Sequence, residues 1–157
     1  MNTLVIYDSQ YGNTERIAQA IANALREFGQ AQAIHVAQAH PLEFQGVDLL
    51  ILGCPTQRWR STPAMQSLLD KVSPQSLSGL AVACFDTRYR AALWMTGSAA
   101  RRMDRQLRTM RIEPLVPPES FFVSDSQGPL VSGELDRAVI WARKLVKKAE
   151  ASHLATR

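Results

Sequence analysis

One polar stretch near the start of the chain has residue types that suit binding of an anionic ligand: Ser9, Gln10, Tyr11, Gly12, Asn13 and Thr14. It follows a strand-like apolar run at residues 4–6 and precedes a helical apolar repeat at residues 17–28. The first N–H groups of a helix lack intrahelical acceptors and carry partial positive charge. A phosphate can accept their hydrogen bonds and balance that charge. Ser9 and Thr14 can add hydroxyl donors, and Gly12 lets the backbone approach the ligand. The stretch predicts an anion-binding turn, with a capped polar turn as the alternative.

The composition of this turn narrows the class of ligand. It lacks the lysine of a nucleoside triphosphate-binding loop, and it lacks the G-x-G-x-x-G pattern of dinucleotide-binding proteins. The arrangement of Ser9, Gly12 and Thr14 resembles the FMN-phosphate loop of the flavodoxin family. The resemblance implies that FMN is the cofactor and that residues 9–14 hold its phosphate.

Two later loops carry side chains that suit the rest of this cofactor. In the flavodoxin family the corresponding loops hold the isoalloxazine ring between aromatic side chains. The resemblance implies contacts from a second loop, at Pro55, Thr56, Gln57, Arg58 and Trp59, and from a third loop, at Asp86, Thr87, Arg88, Tyr89 and Trp94. Trp94 competes with Tyr89 for the place against the ring. The alternative for both tryptophans is that they only cover apolar surface.

Strand-like and helical segments alternate along the whole chain, which predicts how these loops are positioned. Strands are expected at residues 4–6, 33–37, 47–52 and 80–85, and a last one at residues 112–123, interrupted by Pro117-Pro118. This alternation predicts an α/β fold with a doubly wound, five-stranded parallel sheet and helices on both faces. The flavodoxin resemblance adds the strand order 2-1-3-4-5, for which flavodoxin is the known example, with FMN beyond the carboxyl ends of the strands.

Composition and length set the domain organisation. The chain has 157 residues, of which 46% are hydrophobic and 20% charged, which predicts one domain at residues 1–150 and a frayed tail at 151–157. No apolar run reaches membrane-spanning length, so a cytoplasmic protein is expected. Cys54 and Cys84 lack the spacing of metal ligands, and no metal site is predicted.

The basic charge of the chain bears on its partners. The net charge is +4, whereas flavodoxins that shuttle electrons are acidic as a family. The charge, with an arginine stripe at Arg101, Arg105 and Arg108, favours acidic redox partner proteins rather than nucleic acid, and an ordinary solvated helix face is the alternative.

Three functions remain open at this point. The first is an FMN-dependent carrier of electrons between proteins, and the second is an FMN-dependent NAD(P)H:quinone-type oxidoreductase with a small quinone-like substrate. The third is a flavin-free module that only binds a partner. No acid–base dyad or nucleophile stands out, so no catalytic residue is assigned, and any redox chemistry comes from the cofactor.

Overall fold

The computed structural model describes residues 1–40 and 44–155, the last three of them by their backbone only. Within these residues the chain forms one parallel five-stranded sheet in the order β2-β1-β3-β4-β5, which confirms the predicted fold and strand order. The strands are β1 (Asn2–Tyr7), β2 (Gln30–His35), β3 (Leu49–Pro55), β4 (Ala81–Tyr89) and β5 (Glu119–Val123). Their carboxyl ends, and the loops that follow them, therefore lie at one edge of the sheet.

Helices cover both faces of the sheet. They are α1 (Asn13–Leu25), α2 (Pro63–Lys71), α3 (Leu93–Thr96), α4 (Ala99–Thr109) and α5 (Glu134–Ala155). Helices α1 and α5 pack on one face, while α2 and α4 pack on the other. Because β3 lies between these two layers, both of its faces are buried, which explains its nearly continuous apolar sequence.

The apolar spacing of α1 shows how sequence fixes this packing. Ile17, Ile21 and Leu25 recur every four residues and are at most 1% exposed, so one stripe of the helix lies against the sheet. Burying each such side chain stabilises the fold by about 1.5–3 kcal/mol. On the same face, the rings of Phe85, Phe121 and Trp141 meet edge to face at centroid distances of 5.9–6.1 Å.

Two helix starts position the site directly. At α2, the Thr62 side chain accepts a hydrogen bond from the Met65 N–H, and Pro63 occupies the first helical position. At α4, the Ser98 side chain accepts from the Arg101 N–H. These caps fix the residue at which each helix begins. They therefore fix where the loop after β3 and the segment after β4 end.

Several element boundaries differ from the predictions. Strand β2 begins at Gln30 rather than at residue 33, because the polar residues of an edge strand face solvent and hide the apolar pattern. Strand β4 continues to Tyr89 because it pairs with β5 from Phe85 onward. Residues 112–116 are not a strand, and β5 lies wholly after the Pro117-Pro118 pair. Helix α5 is described as far as Ala155, residues 156 and 157 lie outside the described part, and fraying of the tail stays a prediction.

Candidate functional site

A cavity of about 260 Å³ opens at the carboxyl edge of the sheet, between the loops that follow β1, β3, β4 and β5. Thirteen of the sixteen residues predicted to contact a ligand line it: Ser9, Gln10, Tyr11, Asn13, Thr14, Pro55, Thr56, Gln57, Arg58, Trp59, Thr87, Arg88 and Tyr89. The predicted residues that do not line it are Gly12, Asp86 and Trp94. The structure thus brings the three predicted loops together around one space.

The first loop is shaped by Gly12 and Ser9. Gly12 has a φ of 87° and is the N-cap residue of α1, a left-handed conformation that glycine adopts without a steric penalty. The Ser9 hydroxyl oxygen accepts hydrogen bonds from the N–H groups of Gly12, at 3.1 Å, and Glu15, at 3.4 Å. The backbone N–H groups of Asn13 and Thr14 have no hydrogen-bond partner among the described residues. These donors, at the positive end of the α1 dipole, are suited to an anion.

Side-chain hydrogen bonds tie the three loops together in pairs. The first and second loops are joined by the Gln57 Nε2 group, which donates to Gln10 Oε1 at 2.7 Å. The first and third loops are joined by Thr14 Oγ1 and Thr87 Oγ1, which are 2.7 Å apart and buried. The Thr56 hydroxyl joins the second and third by donating to Asp86 Oδ2 at 3.1 Å. The walls of the cavity are therefore connected directly.

The second loop carries Trp59 on a strained turn. Gln57 and Arg60 exchange two backbone hydrogen bonds of 2.9 Å, and the residues between them have positive φ, 47° at Arg58 and 66° at Trp59. Positive φ is uncommon for residues other than glycine, so neighbouring contacts must hold this turn. Trp59 lies against Gly97, and its Nε1 group donates to the Trp94 carbonyl at 3.4 Å. Trp59 is 52% exposed and lines the cavity.

Arg88 organises the third loop. Its guanidinium donates to the Ser120 hydroxyl, to the carbonyls of Tyr89 and Ala91, and to the Thr96 hydroxyl, at 2.9–3.2 Å. It also stacks 5.2 Å from the centre of the Phe122 ring. Most of its donors are therefore committed to the protein, and its main role in this structure is to hold the loop.

Asp86 lies behind the cavity wall and is fully buried. Its Oδ2 atom accepts hydrogen bonds from Thr56, from the Ser98 hydroxyl at 2.5 Å and from the Ala100 N–H at 3.0 Å. Its Oδ1 atom has no partner among the described residues. Burial raises the pKa of Asp86 above its ordinary value, although the bonds from Ser98 and Ala100 oppose this shift.

Trp94 lies outside the cavity and is 81% exposed, whereas Tyr89 lines the cavity. The next two residues of α3, Met95 and Thr96, take the place beside the cavity. Val123 and Ser126 also line it, and the sequence analysis missed them, although the predicted end of the last strand at the same sheet edge was a usable signal.

Two further findings concern residues beyond the cavity. His35 Nε2 lies 3.3 Å from Asp8 Oδ1, next to the first loop, a pairing that sequence spacing could not reveal. Among the described residues, no cluster of side chains could ligate a metal ion, and no helix is long and apolar enough to cross a bilayer.

The sequence model of the flavodoxin family matches residues 5–116, which is more than half of the chain. A search of curated protein sequences gave no match.

Solved structures show the same fold at low sequence identity. A flavodoxin from the domain Archaea has 19% identity and a TM-score of 0.79, covering 96% of this chain and 99% of its own. Flavodoxin 1 from Bacillus cereus has 18% identity and a TM-score of 0.76, covering 94% and 98%. The rubredoxin oxygen:oxidoreductase from Desulfovibrio gigas has 16% identity and a TM-score of 0.76, and the match spans 96% of this chain but 36% of that one. Some of the similar proteins are thus much longer than the present sequence.

Proposed function

Because the chain belongs to the flavodoxin family, whose members bind FMN and transfer electrons, we propose that it carries electrons between proteins through an FMN held in the cavity described above. The observation that carries the proposal is the convergence of an anion-suited helix start and aromatic walls on one cavity. Bound FMN would supply one- or two-electron transfer, and the protein would set its position and exposure.

The first loop fits the phosphate group of this cofactor. The unpartnered N–H groups of Asn13 and Thr14 can donate to phosphate oxygens. Gly12 has no side chain to obstruct a ligand, and no protein atom lies within 4 Å of the position that a Cβ would take, so the space beside this residue is open. The Thr14 hydroxyl can donate as well if Thr87 donates to Thr14, since each hydroxyl has one proton and two lone pairs. In this assignment Thr87 orients Thr14 toward the phosphate.

The second and third loops fit the ring and the ribityl chain. Trp59 and Tyr89 line the cavity from different loops, so a planar ring can lie between them. Thr56 and Gln57 supply polar groups at the same wall. We assign the other contacts to the flavin to residues of the second and third loops that line the cavity, and none to Trp94.

The surface around the cavity fits docking of an acidic protein. Of the seven large hydrophobic side chains exposed among the described residues, five surround this site, and we call them the aromatic rim: Tyr11, Trp59, Tyr89, Trp94 and Met95. Exposed arginines flank the rim, namely Arg58 and Arg60 beside Trp59 and Arg90 beside Tyr89. In the predicted stripe on α4, Arg101 and Arg105 are exposed, whereas Arg108 forms ion pairs with Asp104 and Glu113. An apolar centre with a charged border is typical of protein interfaces, and the sign of this border favours acidic partners.

Small redox probes test the basic border without a known partner. Oxidation of the reduced protein by anionic ferricyanide should slow as salt is added, and oxidation by a cationic cobalt complex should accelerate. Arg60→Glu should weaken both salt effects, whereas Lys144→Glu, on α5 at the other face of the sheet, should leave them unchanged. Equal salt dependence for both oxidants would contradict an attractive field for acidic partners.

The competing function is an FMN-dependent NAD(P)H:quinone reductase. Steady-state turnover with NADH or NADPH and a soluble quinone separates the two, because a carrier shows no saturable turnover without a partner reductase. A visible flavin spectrum with turnover would favour the reductase, and a spectrum without turnover supports the carrier. A parent protein that binds no flavin at all would favour the flavin-free module. The free, buried thiols of Cys54 and Cys84 suit a reducing compartment, so a cytoplasmic location is part of the proposal.

A further inference from the structure

We propose that Asp86 is a positioning residue that fixes the hydrogen-bonding direction of Thr56, so that Thr56 offers only an acceptor to the ligand in the cavity. The proposal rests on the proposed flavin site but concerns a residue outside the cavity lining. It gives a buried carboxylate, which the proposed redox role does not otherwise use, a defined task.

Three donors converge on a single oxygen of Asp86. Its Oδ2 atom receives the Thr56 hydroxyl at 3.1 Å, the Ser98 hydroxyl at 2.5 Å and the Ala100 N–H at 3.0 Å. A carboxylate without a proton can only accept, so both hydroxyl groups must donate to it. The Ala100 N–H is at the start of α4, where the helix dipole also favours a negative charge.

This arrangement uses the only proton of the Thr56 hydroxyl. The same oxygen accepts the Ala99 N–H at 2.9 Å, which uses one of its two lone pairs. One lone pair is left for a ligand, and Thr56 lines the cavity. Thr56 therefore favours a ligand group that donates, such as a ribityl hydroxyl or a ring N–H, and disfavours one that only accepts.

The same contacts join the loops that carry the ring-binding residues. Thr56 belongs to the loop of Trp59, and residues 98–100 directly follow Gly97, against which Trp59 packs. Asp86 thus links the two segments on which the Trp59 position depends. An acceptor at this point is needed, but a charge is not, since an amide oxygen could accept the same three bonds.

The groups around Asp86 from each neighbouring element are consistent with this role. On β4 itself, Arg88 is two residues away, and its charge favours the ionised carboxyl. The thiols of Cys54 on β3 and Cys84 on β4 are buried and have raised pKa values, so they remain neutral. From β5, the Ser120 hydroxyl faces the carboxyl, and it already accepts a hydrogen bond from Arg88.

Binding of FMN and riboflavin to variants of the full chain tests the proposal. Asp86→Ala and Thr56→Val should each weaken both ligands by the same factor, about three- to tenfold, as expected for one lost hydrogen bond. The double variant should lose clearly less affinity than the sum of the two single losses, because Asp86 and Thr56 share one hydrogen bond. Asp86→Asn and Thr56→Ser should bind nearly as well as the parent. Thr3→Val, a buried threonine at the opposite end of the sheet, is the matched control and should change nothing.

Any of three results would overturn the proposal. These are additive losses in the double variant, parental binding by Asp86→Ala, or an asparagine variant as weak as the alanine variant. If Asp86→Ala does not fold, the flavin affinities of Asp86→Asn, Thr56→Ser and Thr56→Val decide. Only a loss of affinity confined to Thr56→Val agrees with the proposal.

A ligand-free measurement keeps this test separate from that of the proposed function. A hydroxyl proton held in a hydrogen bond exchanges slowly enough to give a proton NMR signal. The Thr56 hydroxyl signal should be present in the apoprotein and in Asp86→Asn, and absent in Asp86→Ala. Its absence from the parent would refute the Asp86–Thr56 contact even if FMN binds, while its presence in a protein that binds no flavin would refute only the proposed function.

Discussion

Replacement of Gly97 by alanine tests how the second loop is held. Gly97 has φ 66° and ψ −170°, a region that is open almost only to glycine. A Cβ atom there would also lie 2.6 Å from the Cα, Cβ and Cδ1 atoms of Trp59. Because two of these atoms are fixed by the strained turn at residues 57–60, the contact cannot be relieved by rotating a flexible side chain. The substitution must therefore displace the Trp59 turn.

The expected magnitude has two parts. The backbone conformation alone costs about 1–3 kcal/mol for a residue other than glycine. Gly79→Ala is the matched control, because Gly79 also has a positive φ, 83°, but its added Cβ would meet no atom within 4 Å. Both variants should lose stability, and Gly97→Ala should lose at least about 1 kcal/mol more, since overpacking adds a further penalty of about 1–3 kcal/mol.

Urea unfolding and FMN titration give the two readouts. At this chain length, each kcal/mol of lost stability also lowers the Tm by about 2–4 °C. Gly97→Ala should in addition bind FMN more weakly and change the tryptophan fluorescence, whereas Gly79→Ala should do neither. Equal stability losses in the two variants, with unchanged FMN affinity in both, would refute the idea that Gly97 positions Trp59.

Two further predictions follow from the charged residues of the third loop. Arg88→Lys should lower the free energy of unfolding by about 1–3 kcal/mol, because an ammonium cannot reach the four acceptors that the guanidinium joins. Urea titration measures this loss, and Arg90→Lys is the control that should have little effect. The raised pKa of Asp86 means that the folded protein binds more protons than the unfolded chain between the ordinary value of 3.8 and the raised one. Its ionisation should therefore make the free energy of unfolding fall as pH rises through this interval, and Asp86→Asn should lack that part of the fall. Identical pH profiles would contradict a buried ionising Asp86.

The alternation of strands and helices was sufficient to predict a five-stranded parallel sheet, and the resemblance to the flavodoxin family supplied its strand order. The turn at residues 9–14 could be proposed as an anion site because strand, glycine, hydroxyls and helix are adjacent in sequence. The loops at Trp59 and Tyr89 followed from the fold, since parallel strands bring their carboxyl ends to one edge.

Contacts between loops could not be predicted in the same way. The Thr56–Asp86 and Thr14–Thr87 bonds join residues 30 and 73 positions apart, and no spacing rule relates them. The choice of Tyr89 over Trp94 as a lining residue depends on α3, a helix of four residues that is too short to show a period. The role of Arg88 depends on carbonyl groups of a loop, which side-chain patterns do not encode.

Calorimetric titration with FMN and riboflavin tests the central claim most directly. The parent should bind one FMN per chain and should bind riboflavin more weakly, because only FMN has the phosphate that we propose the first loop binds. Thr14→Val should weaken FMN by about 1.5–3 kcal/mol, the value of a hydrogen bond to a charged group, and leave riboflavin nearly unchanged. Equal affinity of the parent for the two ligands, or equal losses for both in Thr14→Val, would contradict a phosphate site at residues 9–14.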